Sequence, residues 1–489
     1  MKLKTLDTRP FYGGKHHDSF GKNTFQSINP ATMEVIATVP ESDKQDIDAA
    51  VAAAQVAFQE WCEIDAITKG HLINLIADSI EEHAEELVEI DVLDAGRPIE
   101  DAREDIEAIV RMYRYFGGLS DKIEGTTIPF GNDKLVFTRR EPYGVVAAIT
   151  AWNYPLFNIT AKIAPIIAMG NACLLKPAEE TPLVALRLAE IISDVSGVPK
   201  GLVSVLNGSG ETTGNYLVAN PNIDKITFTG STQTASHILS NISNNNIKNC
   251  VFELGGKAPV VVFADANIDG AAKAIAFCAF FNQGQTCTAA TRIIVERSVH
   301  DELLSKIKEI ANRIIIGDPT NEETNVGPLI SKMQYDKVTG YIKRAIDRGD
   351  KMVLGNSENL PSNGFFVSPT IFDDVSPDSE LFTDEVFGPV LTFTVFDEED
   401  EALKLANDSR YGLAASIWTK DIQRMHKFSA SIKCGIMQCN TIFCEFPGAP
   451  AGGFKNSGYG REFGKEAITE YTQIKTVWVA YDDGYSDWV

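Results

Sequence analysis

The stretch Val145-Val146-Ala147-Ala148-Ile149 is short, apolar and unbroken, and a helical stretch separates it from a second such run at 172–175. The alternation continues through 202–206, 225–228 and 259–263. Strands buried on both faces read as continuous apolar runs, and strands alternating with helices imply parallel βαβ units. A second series follows at 292–295, 367–371, 390–395 and 414–418. For 489 residues, two α/β domains fit better than one.

Working outward, Ile47, Val51, Ala54, Phe58 and Trp61 recur at helical spacing after Ser42, which predicts a capped amphipathic helix. A second long helix carries Leu72, Ile76, Ile80 and Leu87 and closes at Gly96 and Pro98. The asparagine-rich stretch 241–249 reads as a surface loop. Residues 124–141 and 475–481 are polar and β-branched, the mark of exposed hairpin or edge strands that invite pairing with another subunit.

Lysine and arginine total 44 against 67 acidic residues, a net charge of −23. That sign repels nucleic acid phosphates and anionic membrane surfaces, so neither is an expected partner. No segment reaches the roughly 18 continuous apolar residues of a spanning helix, and the first twenty residues lack a signal-like apolar core. The expectation is a soluble, untargeted, cytoplasmic protein. Eight cysteines include no C-x-x-C pair, so reduced thiols are the default. Five-residue steps between Cys434, Cys439 and Cys444 do not bring thiolates together, and no metal is expected.

One thiol stands in unusual company, Phe281-Asn282-Gln283-Gly284-Gln285-Thr286-Cys287. Cysteine is a strong nucleophile only as thiolate, and a lone cysteine is by default a packing residue. The seven histidines (16, 17, 71, 83, 237, 300 and 426) lie in charged helices or loops and offer it no obvious base. A carboxylate is the alternative. Glu253 follows Val251-Phe252 and precedes Leu254-Gly255-Gly256-Lys257, at a strand end facing a glycine turn. Partial burial there would raise its pKa towards that of a general base, whereas an exposed or ion-paired glutamate would stay acidic.

Phosphate binding is signalled where 226–229 runs into Gly230-Ser231 and a helix from Thr232, since free amides at a helix start attract pyrophosphate. The full G-x-G-x-x-G fingerprint is missing: Gly208-Ser209-Gly210 is followed by Gly214 four residues later. At Lys176-Pro177-Ala178-Glu179 a lysine leaves a strand where ligands gather in parallel sheets. Glu179 could bond a ribose 2′-hydroxyl and would repel a 2′-phosphate, favouring NAD over NADP. Alone, Lys-Pro reads equally well as a solvated loop.

In combination the motifs resemble the aldehyde dehydrogenase superfamily from Asn29-Pro30-Ala31-Thr32 to Lys475-Thr476-Val477. They are Ala151-Trp152-Asn153-Tyr154-Pro155, Lys176-Pro177-Ala178-Glu179, Phe228-Thr229-Gly230-Ser231, Phe252-Glu253-Leu254-Gly255-Gly256-Lys257, Gly284-Gln285-Thr286-Cys287 and Glu385-Val386-Phe387-Gly388-Pro389. Ala151 stands where the family most often has proline, and Met437-Gln438-Cys439-Asn440 replaces a commonly more aromatic strand.

The resemblance implies an α/β fold with a Rossmann-type NAD-binding domain (1–123 and 142–252), an α/β catalytic domain (253–470) and a small β oligomerisation extension (124–141 and 471–489). A homodimer or homotetramer follows from that extension. It also implies NAD-dependent oxidation of an aldehyde to the acid. Cys287 would attack the carbonyl and carry a thiohemiacetal, then a thioester. Asn153 and the Cys287 backbone N–H would hold the oxyanion, and Glu253 would activate the hydrolytic water. Cofactor contacts map to Thr150, Trp152, Lys176, Glu179, Gly214, Gly230, Ser231, Leu254, Glu385 and Phe387. Glu462 matches a glutamate sometimes assigned to a proton relay, a salt-bridged exposed glutamate being the alternative.

For the substrate, family members acting on betaine aldehyde tend to carry tryptophans at the positions of Ala161 and Phe281, and those acting on succinic semialdehyde tend to carry arginines. This chain provides clearly for neither charge. Tyr154, Phe157, Phe281 and Phe446, with Phe280 and Phe443, are candidates for an apolar channel, and an uncharged aliphatic or aromatic aldehyde is expected. A trimethylammonio-aldehyde is the runner-up. A CoA-acylating enzyme would not need Glu253, and a non-catalytic binding protein of the same fold should have lost Cys287 or Asn153.

Overall fold

The computed structural model describes residues 6–355, 360–444 and 446–481. Two large sheets dominate it. The first orders its strands as Gly458–Tyr459, Asn249–Leu254, Lys225–Gly230, Val145–Ile149, Ala172–Lys176, Val203–Val205, Phe11–Tyr12 and Lys15–His16. Its five central strands are parallel, and both flanks are antiparallel. The second runs Lys351–Leu354, Thr370–Asp373, Val390–Phe396, Ala290–Glu296, Ala258–Val262, Ala414–Trp418 and Ile436–Cys439, parallel except at its first pair. The apolar runs at 145–149 and 414–418 are strands over those residues and are buried throughout. Crossover helices cover the faces, as parallel sheets require.

Local chemistry moves several boundaries. The second run of the second series begins at Thr370 rather than at 367, because Pro369 has no N–H to give a ladder. The first helix, Lys44–Glu63, is capped by Asp43 and not Ser42: Asp43 accepts from the Gln45 and Asp46 amides while Asp46 reaches back to the Asp43 amide. The expected second helix is two, Ala66–Glu82 and Ala84–Ala95, broken at His83, whose ψ of 16° leaves the helical range. The 241–249 loop is shorter than expected. Helix Thr232–Asn245 runs into it, burying Ile238 and Ile242 one turn apart, and Asn249 opens a strand.

Residues 458–471 return to the first sheet although they follow the second in sequence. Gly458 pairs with Glu253, and Phe463, Ala467 and Tyr471 enter the first core. The expected edge strands form a separate antiparallel sheet of Thr127–Ile128, Lys134–Pro142 and Thr472–Ala480. Residues 482–489 of that extension lie outside the described residues. Among the described residues no helix is long and apolar enough to cross a membrane.

Candidate active site

The carboxyl ends of the first sheet face the amino-end loops of the second, and a cavity of about 590 Å³ lies between them. From strand Val145–Ile149 the chain passes through Trp152, Asn153 and Tyr154 into helix Pro155–Ala168, where proline sits at the helix start. Strand Lys225–Gly230 delivers Ser231 as the N-cap of helix Thr232–Asn245, its hydroxyl accepting from the Thr234 amide at 3.0 Å. Strand Asn249–Leu254 presents Glu253, in register with Thr229.

The turn that follows is packed closely enough to favour glycine. A Cβ on Gly255 would collide with the Glu385 carboxylate, and one on Gly256 with the Cys287 carbonyl oxygen. Glu385 is fastened there, accepting from the Gly256 amide at 2.8 Å. Phe387, at φ 59°, is held by Gln334, whose Nε2 donates to its carbonyl at 2.6 Å. Phe387 meets Trp152 edge to face at 5.3 Å.

Cys287 follows a tight turn in which Asn282 and Gln283 both take left-handed backbone angles, φ 49° and 59°. Asn282 Nδ2 donates to the Asn153 carbonyl at 2.7 Å, and Asn153 Nδ2 donates to the Gln285 carbonyl at 2.9 Å. The Asn153 amide therefore spends one proton on the thiol loop, and the carboxamide oxygen accepts from Asn158 at 3.1 Å. An amide has two protons, so one donor remains for a ligand oxygen.

Glu253 is half-buried, and its Oε1, shielded from solvent, has no protein hydrogen-bond partner among the described residues. Burial first, and the charge of Glu462 second, push its carboxyl well above the ordinary range, with Lys162 and Arg461 opposing. Glu462 corrects one expectation: it is salt-bridged but not exposed. Only 7% exposed, it pairs with the fully buried Lys162, which also donates to Thr227 Oγ1 at 3.1 Å.

Of the residues singled out in the sequence, Cys287, Glu253, Asn153, Glu462, Trp152 and Gly230 line this cavity, as do Ser231, Leu254, Glu385 and Phe387. Tyr154, Phe157, Phe281 and Phe443 form its aromatic wall. Phe446 does not line it: 55% exposed, it packs against Tyr115. Phe280 is core, 1% exposed. Ala161 is likewise buried away from the cavity. The wall gains Phe277 and Phe463, which sequence reading missed. Phe277 stands four residues before Phe281, one helical turn away, and their rings meet at 4.7 Å. Gln334 and Lys337 were also missed. Their signal is three-residue spacing on a helix whose polar residues turn inward beside Glu385.

Thr150, Lys176, Glu179 and Gly214 form a second group at the ends of the first sheet's strands, outside the cavity lining. Lys176 is buried, which lowers its pKa, with Nζ donating to the Pro177 carbonyl at 2.8 Å and 3.6 Å from Glu179. Glu179 accepts from the Gly210 amide at 2.7 Å, tying the strand end to a π-helical turn, Gly210–Gly214. The Thr150 hydroxyl is buried without a hydrogen-bond partner among the described residues. An elongated ligand with hydroxyls at both ends and an anionic middle at the Ser231 helix start fits this run of groups.

The family model described as "Aldehyde dehydrogenase family" matches residues 17–477. Retinaldehyde dehydrogenase 3 of Mus musculus is 40% identical over 98% of this chain and 94% of its own length. Betaine aldehyde dehydrogenase from Staphylococcus aureus, solved with NAD+, superposes with a TM-score of 0.96 at 36% identity, covering 100% of this chain and 98% of that one. The indole-3-acetaldehyde dehydrogenase AldA of P. syringae, also solved with NAD+, gives 0.95 at 35% identity, covering 98% and 97%.

Proposed function

The chain belongs to the aldehyde dehydrogenase family, and from that premise we propose that it oxidises an uncharged aliphatic or aromatic aldehyde to its acid with NAD, Cys287 carrying the acyl group. The observation that carries this is the meeting of Cys287, Asn153 and Glu253 on one aromatic-walled cavity.

The Cys287 sulfur attacks the aldehyde carbon, a C–S bond forms, and the carbonyl electron pair moves onto oxygen. The free proton of the Asn153 amide and the Cys287 backbone N–H receive that oxyanion. Both are fixed dipoles that need no reorganisation as charge develops, and losing one such donor costs roughly 100-fold or more. NAD, when bound, would supply the hydride acceptor, leaving the acyl group on Cys287 as a thioester. Glu253 then takes a proton from water, hydroxide adds to the thioester carbon, and the C–S bond breaks to return the thiolate. The buried Lys162–Glu462 pair, whose charges act on the Glu253 carboxyl, would receive that proton.

For the cofactor, Lys176 and Glu179 would hold the adenine ribose, with Gly214 and Thr150 beside them. Gly230 and Ser231 would hold the pyrophosphate, Glu385 the nicotinamide ribose, and Phe387, Trp152 and Leu254 would wall the nicotinamide. The first sheet with residues 458–471 is the NAD-binding body, and the second sheet carries the thiol loop. The Glu179 carboxylate repels a 2′-phosphate, and like charges so placed cost several kcal/mol, so kcat/KM with NAD should exceed that with NADP by on the order of 100-fold. A preference for NADP would remove Glu179 from that role.

The substrate end is aromatic. Tyr154 and Phe281 stack at 6.4 Å, and Ala161 brings no ring to complete a cage for a quaternary ammonium. NADH formation over a panel of neutral, trimethylammonio and carboxylate-bearing aldehydes, with Cys287→Ala as control, tests the reading. Neutral substrates should give the highest kcat/KM. A trimethylammonio-aldehyde at least about tenfold better would overturn the substrate assignment, the difference then matching a cation–π contribution. A CoA-acylating role is disfavoured by the well-placed Glu253, and a non-catalytic role by the intact thiol, amide and carboxylate.

The small sheet leaves Ile474 60%, Trp478 56% and Phe130 58% exposed, an apolar strip on strand edges that pairing between subunits would cover. Sedimentation should return a dimer or tetramer, and a monomer at micromolar concentration would refute it. The eight cysteines are thiols, in keeping with a reducing cytoplasm as the location.

A further inference from the structure

Arg97 does not line the cavity, yet it touches what does. It is 1% exposed, between Gly96 in the left-handed region and Pro98 at the start of helix Ile99–Gly117. Its Nη1 bridges Asp91 at 3.1 Å and Asp105 at 2.5 Å, which fixes the guanidinium plane. The Nε edge of that plane donates to Asn282 Oδ1 at 3.3 Å, and the face lies over the Tyr154 ring, 4.7 Å from its centre.

Both contacts continue to the thiol loop. Asn282 Nδ2 donates to the carbonyls of Asn153, at 2.7 Å, and Gln285, at 3.4 Å. The Tyr154 hydroxyl is hydrogen-bonded to Thr286 Oγ1 at 2.6 Å. One route ends on the residue bearing the oxyanion amide, the other on the residue before Cys287. Asn282 and Gln283 hold left-handed backbone angles, which persist only where their surroundings over-determine them.

We propose that Arg97 is a positioning residue of this enzyme, a buried template that sets the Cys287 loop and the Asn153 amide in register through Asn282 on one side and Tyr154 on the other. The inference rests on the roles given to Cys287 and Asn153 above. Arginine suits the task and lysine does not. A rigid plane can serve carboxylates, an amide oxygen and an aromatic face at once, whereas an ammonium is a single point charge.

The neighbourhood chooses the test. Asp91, Asp101 and Asp105 surround the guanidinium, so a neutral replacement would leave carboxylates buried without a cation and destabilise the fold. Arg97→Lys keeps the charge. Asn282→Gly cuts the amide route at its other end and keeps a residue at ease with positive φ. Three quantities are measured for each: the rate of the pre-steady-state NADH burst, the NAD dissociation constant by protein fluorescence, and the melting temperature.

Both variants should slow the burst at least about tenfold, since sub-ångström misplacement of reacting groups is costly, with NAD affinity held within about twofold. The double variant should be little slower than either single one, because both cut the same chain of contacts. Folded variants with wild-type burst rates would overturn the proposal, whatever their melting temperature. So would a loss of NAD affinity in step with the burst, which would make Arg97 general scaffolding. Failure of the parent reading looks different: a wild-type enzyme without a burst, or a burst surviving in Cys287→Ala.

Discussion

Cys287→Ala should abolish aldehyde-dependent NADH formation, by at least ~10⁴-fold in kcat, as loss of a covalent nucleophile does elsewhere. The structure says why the loss is so complete. Among the described residues that line the cavity no other cysteine is present, and the Asn153 amide proposed for the oxyanion is aimed by the same loop that carries the sulfur. The variant should still fold and bind NAD, since none of the proposed cofactor contacts involves the Cys287 side chain. Steady-state NADH production surviving within tenfold of the wild type would sink the covalent mechanism.

Glu253→Gln should separate the two halves of the reaction. Acylation needs the thiol and the Asn153 amide, so the NADH burst should persist. Hydrolysis needs a base, so turnover should fall by ~10²–10⁴-fold. A variant that loses the burst as well would place the glutamate before hydrolysis. In the wild type, burial raises the Glu253 carboxyl above its ordinary range. Only the ionised form accepts a proton, so kcat should rise with pH through that raised value and level above it, a limb absent in the glutamine variant. The sign for stability is opposite. The folded protein retains a proton that the unfolded chain releases at lower pH, so stability falls as pH rises through the window. Glutamine removes that cost, and the variant should become the more heat-stable of the two as pH rises.

Much of this was legible in the sequence, and what was not has physical reasons. The parallel strands were visible because burial on both faces leaves an unbroken apolar run, as at 145–149. Cys287, Asn153 and Glu253 were singled out through their motif neighbours, not by the thiol itself, since Asn153 reaches the thiol loop from more than a hundred positions away. The aromatic wall was read only in part. Phe446 and Phe463 each follow a glutamate, and nothing local tells which turns inward. The salt-bridged, buried state of Glu462 was hidden for the same reason, since Lys162 lies 300 residues earlier. Arg97 belongs to none of the motifs, and only the fold sets it over the Tyr154 ring.

The return of residues 458–471 to the first sheet bears on how the molecule is made. The strand Asn249–Leu254 gains its outer neighbour, Gly458–Tyr459, only after some two hundred further residues have been synthesised, and Lys134–Pro142 waits longer still for Thr472–Ala480. At ~5–20 residues per second, the first delay alone is roughly 10–40 s. During that time the nascent first half carries an open sheet edge and an unfilled core position for Tyr471. The earlier half therefore cannot mature ahead of the later one on the ribosome, and losing the last thirty residues would injure the domain made first.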